Sequence, residues 1–338
     1  MMRDLTMRQT APAGFPSTGK SGESSLAGRI LASRPQTLLI LNVILIAAMA
    51  IAYPANFATQ ANFSAVLLNA AQSGILVVGM MILMIGGAFD LSIGSTLALS
   101  GVVAGALVGW LGYPAELGIL AGIATGAAAG LVNGLIVTRL GINPLIATLA
   151  TLSIYRSLTQ LIGASGVTPI SNAFKFYGQV KFLGLQSPFW VMLVIVVLGA
   201  WAVARTKVFR QYYFIGGNAR AAQLSGINVP RLTLMAFVLM GALAGLAGVL
   251  AAARLNSAVV SAGIGVELSV ITATVLGGAS LKGGEGTIIG GVLGVLFIAL
   301  VQNAMIINGI GVFWQGMIIG LVLLLAVSLN RFKQRSAR

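Results

Sequence analysis

Neither cysteine nor histidine occurs anywhere in the 338 residues, and acids are scarce, with 6 Asp+Glu against 20 Lys+Arg. Without Cys there is no disulfide, thiolate nucleophile or thiolate metal site; without His there is no imidazole ligand, general base or histidine proton relay. A nucleophile, base and orienting group of the common kinds cannot be assembled from what remains, so an enzyme is the weakest reading. Charged residues make up only 8% of the chain, against roughly 25% in a soluble domain. What is present instead is apolar: 58% hydrophobic residues and a mean hydropathy of +0.99. About twenty apolar residues cross a bilayer once, so the length of this chain counts membrane spans and not soluble domains.

A net charge of +14 would point a soluble protein toward nucleic acid. In a membrane protein it asks on which side the cations lie, and no nucleic-acid partner is expected. Most of them fall in three segments, residues 3–34, 205–231 and 331–338. Cytoplasmic loops are the ones that collect Lys and Arg, so both termini and the central loop are expected in the cytoplasm. Apolar stretches near 36–53, 62–86, 91–111, 115–138, 144–163 and 188–204 precede the central loop; those near 232–253, 267–280, 287–304 and 311–329 follow it. Both halves then hold an even number, as a common side demands. The expectation is an all-α, polytopic integral membrane helical bundle of about ten transmembrane helices, the short ones broken or re-entrant. It divides into a disordered cytoplasmic tail (1–35), a transmembrane domain (36–330) with its cytoplasmic loop at 205–231, and a basic cytoplasmic tail (331–338). Residues 1–35 lack the apolar core of a signal peptide.

The tail contains "GFPSTGKS" (14–21), which matches the spacing of a phosphate-binding loop. Such a loop works between a strand and a helix, where backbone N–H groups face the phosphates. Here no β-rich segment precedes it and Ser-Gly-Glu-Ser-Ser follows, so the match reads as chance in a Gly/Ser/Pro-rich tail.

Of the 44 glycines, many lie inside apolar stretches, with G-x-x-x-G spacings at Gly122/Gly126 and Gly241/Gly245. Small residues let membrane helices approach closely, within a bundle or across a dimer. The apolar run 62–111 is interrupted at "IGGAFDLSIGS" (85–95), where Asp90 is the lone acid between Glu23 and Glu116. Two readings are compatible: Asp90 caps a helix beginning at Leu91 through N–H groups near Ser92 and Ile93, or the break lines or gates a path. A similar Gly-Gly interruption recurs at "LGGASLKGGEGT" (276–287), where Lys282 and Glu285 are expected to pair across one helical turn. Polar residues within or at the ends of spans, Asn69, Gln72, Asn133, Gln302 and Asn303 with Asp90 and Ser92, are candidates for lining or gating a path or for bonding between helices.

In the central loop, Asn218 is a good N-cap, Ala219 to Ser225 a helix-forming run and Gly226 a C′ residue. A helix this short does not persist alone in water, so its strong boundaries point to docking on a partner or on the membrane surface.

"IGGAFDLSIGS", "VNGLIVTRLGINPLIATLATLSIYRSL" (132–158), "FIGGNARAAQLSGIN" (214–228) and "VLGGASLKGGEGTIIGGVLGVLFIALVQNAM" (275–305) together resemble the permease subunits of bacterial ABC importers for monosaccharides, the ribose/xylose/arabinose type. Where that family reads Gly-Gly-Ile-Asp or Gly-Gly-Phe-Asp, Ala88 is inserted here. The resemblance implies a multi-pass protein of the bacterial inner membrane, with membrane lipid around it and a second permease, identical or closely related, beside it. It further implies an ABC ATPase subunit that uses ATP and Mg and a periplasmic substrate-binding protein, with no cofactor bound by this chain. Gly216, Gly217, Asn218, Ala222, Leu224, Ser225 and Gly226 would then form the helix that couples to the ATPase. The alternative from another class is an ion-coupled secondary transporter, which usually carries intramembrane acids or histidines; here only Asp90, Glu267 and Glu285 qualify.

Overall fold

The computed structural model describes residues 34–336, so the phosphate-loop match at 14–21 and most of the expected N-terminal tail lie outside the described residues. In chain order the helices are α1 (Arg34–Ala52), α2 (Pro54–Phe57), α3 (Gln60–Ile85), α4 (Ile93–Gly109), α5 (Ala115–Arg139), α6 (Pro144–Gly163), α7 (Asn172–Gln179), α8 (Ser187–Arg205), α9 (Lys207–Gly217), α10 (Ala219–Leu224), α11 (Val229–Leu255), α12 (Val266–Leu276), α13 (Ile288–Ile307) and α14 (Val312–Ser336). Among the described residues, a two-strand hairpin, β1 (Lys181–Phe182) with β2 (Leu185–Gln186), and an isolated bridge between Val167 and Ala258 depart from all-α. Among the described residues seven helices, α1, α3, α5, α6, α8, α11 and α13, are long and apolar enough to cross a membrane. Three shorter apolar helical stretches, α4, α12 and residues 314–325 of α14, occupy the remaining expected positions. Six residues of the expected basic tail prolong α14 as helix, and residues 337–338 lie outside the described residues.

The short helix α4 is buried nearly end to end, enclosed by α5, α6 and α11. On the other side of α11, helices α3, α12 and α13 form a second packed group, with α1 and α8 on its outside. The tightest joint is α5 against α11. The two G-x-x-x-G pairs face each other there: a Cβ at Gly126 would overlap the Gly241 carbonyl, and one at Gly245 would lie 2.8 Å from the Gly122 carbonyl. Both motifs are therefore spent on packing inside the chain, not on a dimer contact, because any side chain would hold the two backbones apart.

Both Gly-Gly interruptions end a helix by the same hydrogen bonds. At α3, Gly87 N–H donates to Met84 O (3.0 Å) and Ala88 N–H to Leu83 O (2.9 Å). At α12, Gly278 N–H donates to Val275 O and Ala279 N–H to Thr274 O, each at 3.0 Å. The second glycine of each pair is left-handed (Gly87 φ +82, Gly278 φ +103), as this helix stop requires. The inserted Ala88 is thus the residue whose N–H completes the stop. Lys282 and Glu285 lie in an exposed turn and not on a helix, and among the described residues no ion pair joins them.

Replacing Gly126 by Leu is expected to cost about 1–3 kcal/mol or more through overpacking, with loss of the monodisperse peak in detergent. Gly316→Ala, at an exposed position with no neighbour within 4 Å, is expected to leave the peak and its thermal midpoint unchanged.

Candidate functional site

The sequence candidates Asp90, Ser92 and Asn133 converge at the start of α4. Asp90 Oδ1 accepts from the Ser92 amide (2.7 Å) and the Ser92 hydroxyl (2.6 Å). Asn133 Nδ2 donates to Asp90 Oδ2 (3.2 Å) and to Ser92 Oγ (2.8 Å). Tyr155, from α6, donates its hydroxyl to the Ala129 carbonyl (3.0 Å) and lies 3.2 Å from Asn133 Oδ1. All four side chains are buried, Asp90 at 2% exposure. The carboxylate accepts from Ser92 and stands beside the N-terminus of α4, where backbone donors favour negative charge; it bonds the Ser92 amide, and Ile93 is the first helical residue. A carboxyl group buried in the bundle is tolerated when its lone pairs are taken, as here by three bonds.

A second discontinuity lies opposite. The segment 256–265 leaves the end of α11 and delivers the chain to the N-terminus of α12. Arg156 Nη1, from α6, donates to the carbonyls of Val260 (2.7 Å) and Ala262 (2.8 Å) within it. Glu267, in the first turn of α12, accepts from the Gly265 amide (3.2 Å). Gly94 of α4 packs directly on Gly263 and the Glu267 carboxylate. The N-termini of two short helices, each with its own carboxylate, therefore meet inside the bundle.

The remaining polar candidates do not join this centre. Asn303 and Asn62 exchange reciprocal bonds of 2.6 and 3.2 Å between α13 and α3. Asn69 is exposed on α3, Gln72 borders a small recess with Arg254, and Gln302 is half-buried on α13.

In the central loop, Asn218 Oδ1 accepts from the Ala221 amide (3.0 Å), so α10 begins where its cap requires. It stops with Gly226 N–H on Gln223 O (3.1 Å) and Ile227 N–H on Ala222 O (3.1 Å), Gly226 being left-handed at φ +84. Ser225 is the C-cap residue, Ala222 is buried, and Leu224 projects at 83% exposure. An open groove of about 470 Å³ runs beside it, lined by Phe214, Asn218, Ala221 and Ile227 among others. The loop also holds α9, which sequence reasoning missed; it anchors through buried Tyr212 and Ile215, with Tyr212 donating to Leu232 O (2.8 Å) and Tyr213 to Gly286 O (2.8 Å).

Gly216 and Gly217 close α9, and Gly216 is wedged. A Cβ there would overlap the Ile85 carbonyl and the Gly284 amide, and Gly284 N–H itself donates to Ile85 O at 2.9 Å. A Cβ on Gly283 would come 2.7 Å from the Gly216 Cα and 2.9 Å from the Gly87 Cα. Four backbones without side chains thus join the central loop to the end of α3 and to the turn that follows α12.

The family model for "Branched-chain amino acid transport system / permease component" matches residues 62–327. The chain belongs to that permease family. Among its relatives, the ribose import permease protein RbsC of Escherichia coli K12 is 36% identical over 304 residues, covering 88% of this permease and 94% of the relative. The L-arabinose ABC transporter permease protein AraH of Azospirillum brasilense is 36% identical over 302 residues, 89% and 88% of the two chains. The ribose import permease protein RbsC of Bacillus subtilis 168 is 39% identical over 284 residues, 82% and 87%. No solved structure matches this permease.

Sequence reasoning passed over Tyr155 and Arg156. A cation inside an apolar span is itself a signal, since intramembrane charges are costly and face a partner or water. Asp90→Ala in this permease is expected to strand the Ser92 and Asn133 donors and to cost about 1–3 kcal/mol, seen as a lower thermal midpoint of the purified protein. Ser92→Ala, which keeps the Ser92 amide on Asp90, is expected to cost less.

Proposed function

We propose that this chain is the membrane subunit of an ATP-driven importer that carries a monosaccharide or related small polyol into the cytoplasm. An ABC ATPase subunit, using ATP and Mg, docks on α10; a periplasmic substrate-binding protein delivers the solute; a second permease completes the path in a bacterial inner membrane. Both termini and the central loop then face the cytoplasm. The observation that carries this reading is the exposed, doubly capped α10 with Leu224 at its tip, joined through Gly216 to the end of α3 and to the turn that follows α12. A helix of six residues does not persist alone in water, and one so sharply bounded and exposed suits a docking contact. The solute class follows the relatives named for ribose and L-arabinose, whose similarity runs most of both chains, in preference to the amino acids in the family's description.

Movement of α10 on nucleotide binding passes through Gly216 to the Ile85 end of α3 and to the 277–287 turn, and so to α12. The cluster around Asp90 keeps α4 still while α12 moves past it. Weak contacts along the path suit conduction, with affinity residing in the delivery protein.

The test is to tag the chain, extract it gently from its native membrane and identify by mass spectrometry what stays bound, alongside uptake of labelled ribose, arabinose and leucine. A stoichiometric ATPase is expected, lost with Leu224→Asp, whose exposed site leaves the fold intact. Gly216→Ala is expected to keep the ATPase but lose uptake. Extraction without an ATPase, or uptake undiminished by Leu224→Asp, contradicts the reading.

A further inference from the structure

Segment 256–265 runs deep into the bundle. Near its start, Ala258 pairs with Val167 and packs against Gly105 of α4; further on, Gly263 packs against Gly94. The stretch of α4 between those two contacts rises about 16 Å, which is near half of a hydrocarbon core of about 30 Å. At that depth irregular backbone is tolerated only when protein buries it or water reaches it. In this chain protein buries only part of it: Ala258 is buried, but Val259, Ser261 and Ile264 are exposed, Ile264 at 70%.

Helix α6 flanks the segment, joined to it by Arg156. Its buried stripe is Ala147, Thr148, Thr151, Tyr155 and Thr159. On its exposed surface Ser153, Ser157 and Gln160 recur at helical spacing and form one polar line next to Arg156, while Ile154, Leu158 and Leu161 form an apolar line beside it. Among the described residues, the side chains of Ser153, Ser157 and Gln160 have no hydrogen-bond partner. Uncharged hydroxyls and an amide without partners, beside an irregular segment with exposed residues, suit a hydrated surface and not a lipid one.

We infer that Ser153, Ser157 and Gln160 of α6, with Arg156 and Ser261, form the wall of the aqueous path and give a polyhydroxylated solute successive weak hydrogen bonds. The solute class rests on the importer reading; the wet wall does not. The wall borders the N-terminus of α12, so a movement delivered through the glycine junction alters it directly.

The chain has no native cysteine, so single substitutions need no prior removal. In the assembled transporter in vesicles, Ser153→Cys, Ser157→Cys, Gln160→Cys and Ser261→Cys are treated with a charged, membrane-impermeant thiol reagent, with and without ATP. Ile154→Cys and Leu158→Cys serve as comparisons. The expected result is labelling of the four polar positions in at least one nucleotide state, with uptake lost on reaction, and no labelling at the two apolar positions. Unreactive polar positions in every state, while the wild type transports, overturn the inference. So does oxidative cross-linking of Ser157→Cys between two copies without labelling, which would make this face a dry contact. Labelling as expected with no uptake of any sugar would sink the solute reading and leave the wall standing.

Discussion

A bilayer offers no water to backbone N–H and C=O groups, and every feature of this permease follows from how it breaks its helices under that constraint. Unbroken spans satisfy their backbones internally. Two do not run unbroken, and each break comes with its own local chemistry. The break before α4 ends one helix with a left-handed Gly87 and begins the next with Asp90 on the Ser92 amide. The segment before α12 is held by the Arg156 guanidinium on two carbonyls and by Glu267 on the Gly265 amide. The four polar groups around Asp90 close on one another, whereas the Arg156 side stays open to the surface of the chain.

Glycine makes the breaks mechanically useful. At Gly126 and Gly241 its lack of a side chain brings whole helices into contact and produces a stiff block of α4, α5 and α11. At Gly87, Gly216, Gly283 and Gly284 it brings three chain segments together at one point. A closely packed block therefore lies beside a glycine junction that joins the central loop to the end of α3 and to the turn after α12.

Much of this was legible in the residues. Ten apolar stretches became seven long helices and three short ones because hydrophobic length is set by the membrane. The limits of α10 were legible because a cap and a C′ glycine act locally, within four residues of their partners. The G-x-x-x-G pairs announced close packing, but which pair met which depended on the order of helices in space. Long-range partners were hidden for the same reason: Asp90 finds Asn133 from 43 positions away, and Arg156 finds Val260 from 104. Helix α9 was missed because Lys207, Arg210 and Gln211 interrupt its apolar residues and Gly216 and Gly217 end it, a pattern that reads as loop until a surface is supplied for Tyr212 and Ile215. The Lys282–Glu285 pair failed because the second glycine of 277–278 stops the helix before either residue is reached.

The account's central claim is that the two breaks have opposite fates, one sealed and one wet. Hydrogen–deuterium exchange on the assembled transporter in a lipid bilayer tests it most directly. The amides of 88–92, enclosed around Asp90, should exchange slowly, while those of 259–265 should exchange fast at membrane depth and change rate when ATP is added. Equal protection of both segments, or fast exchange confined to 88–92, would contradict it.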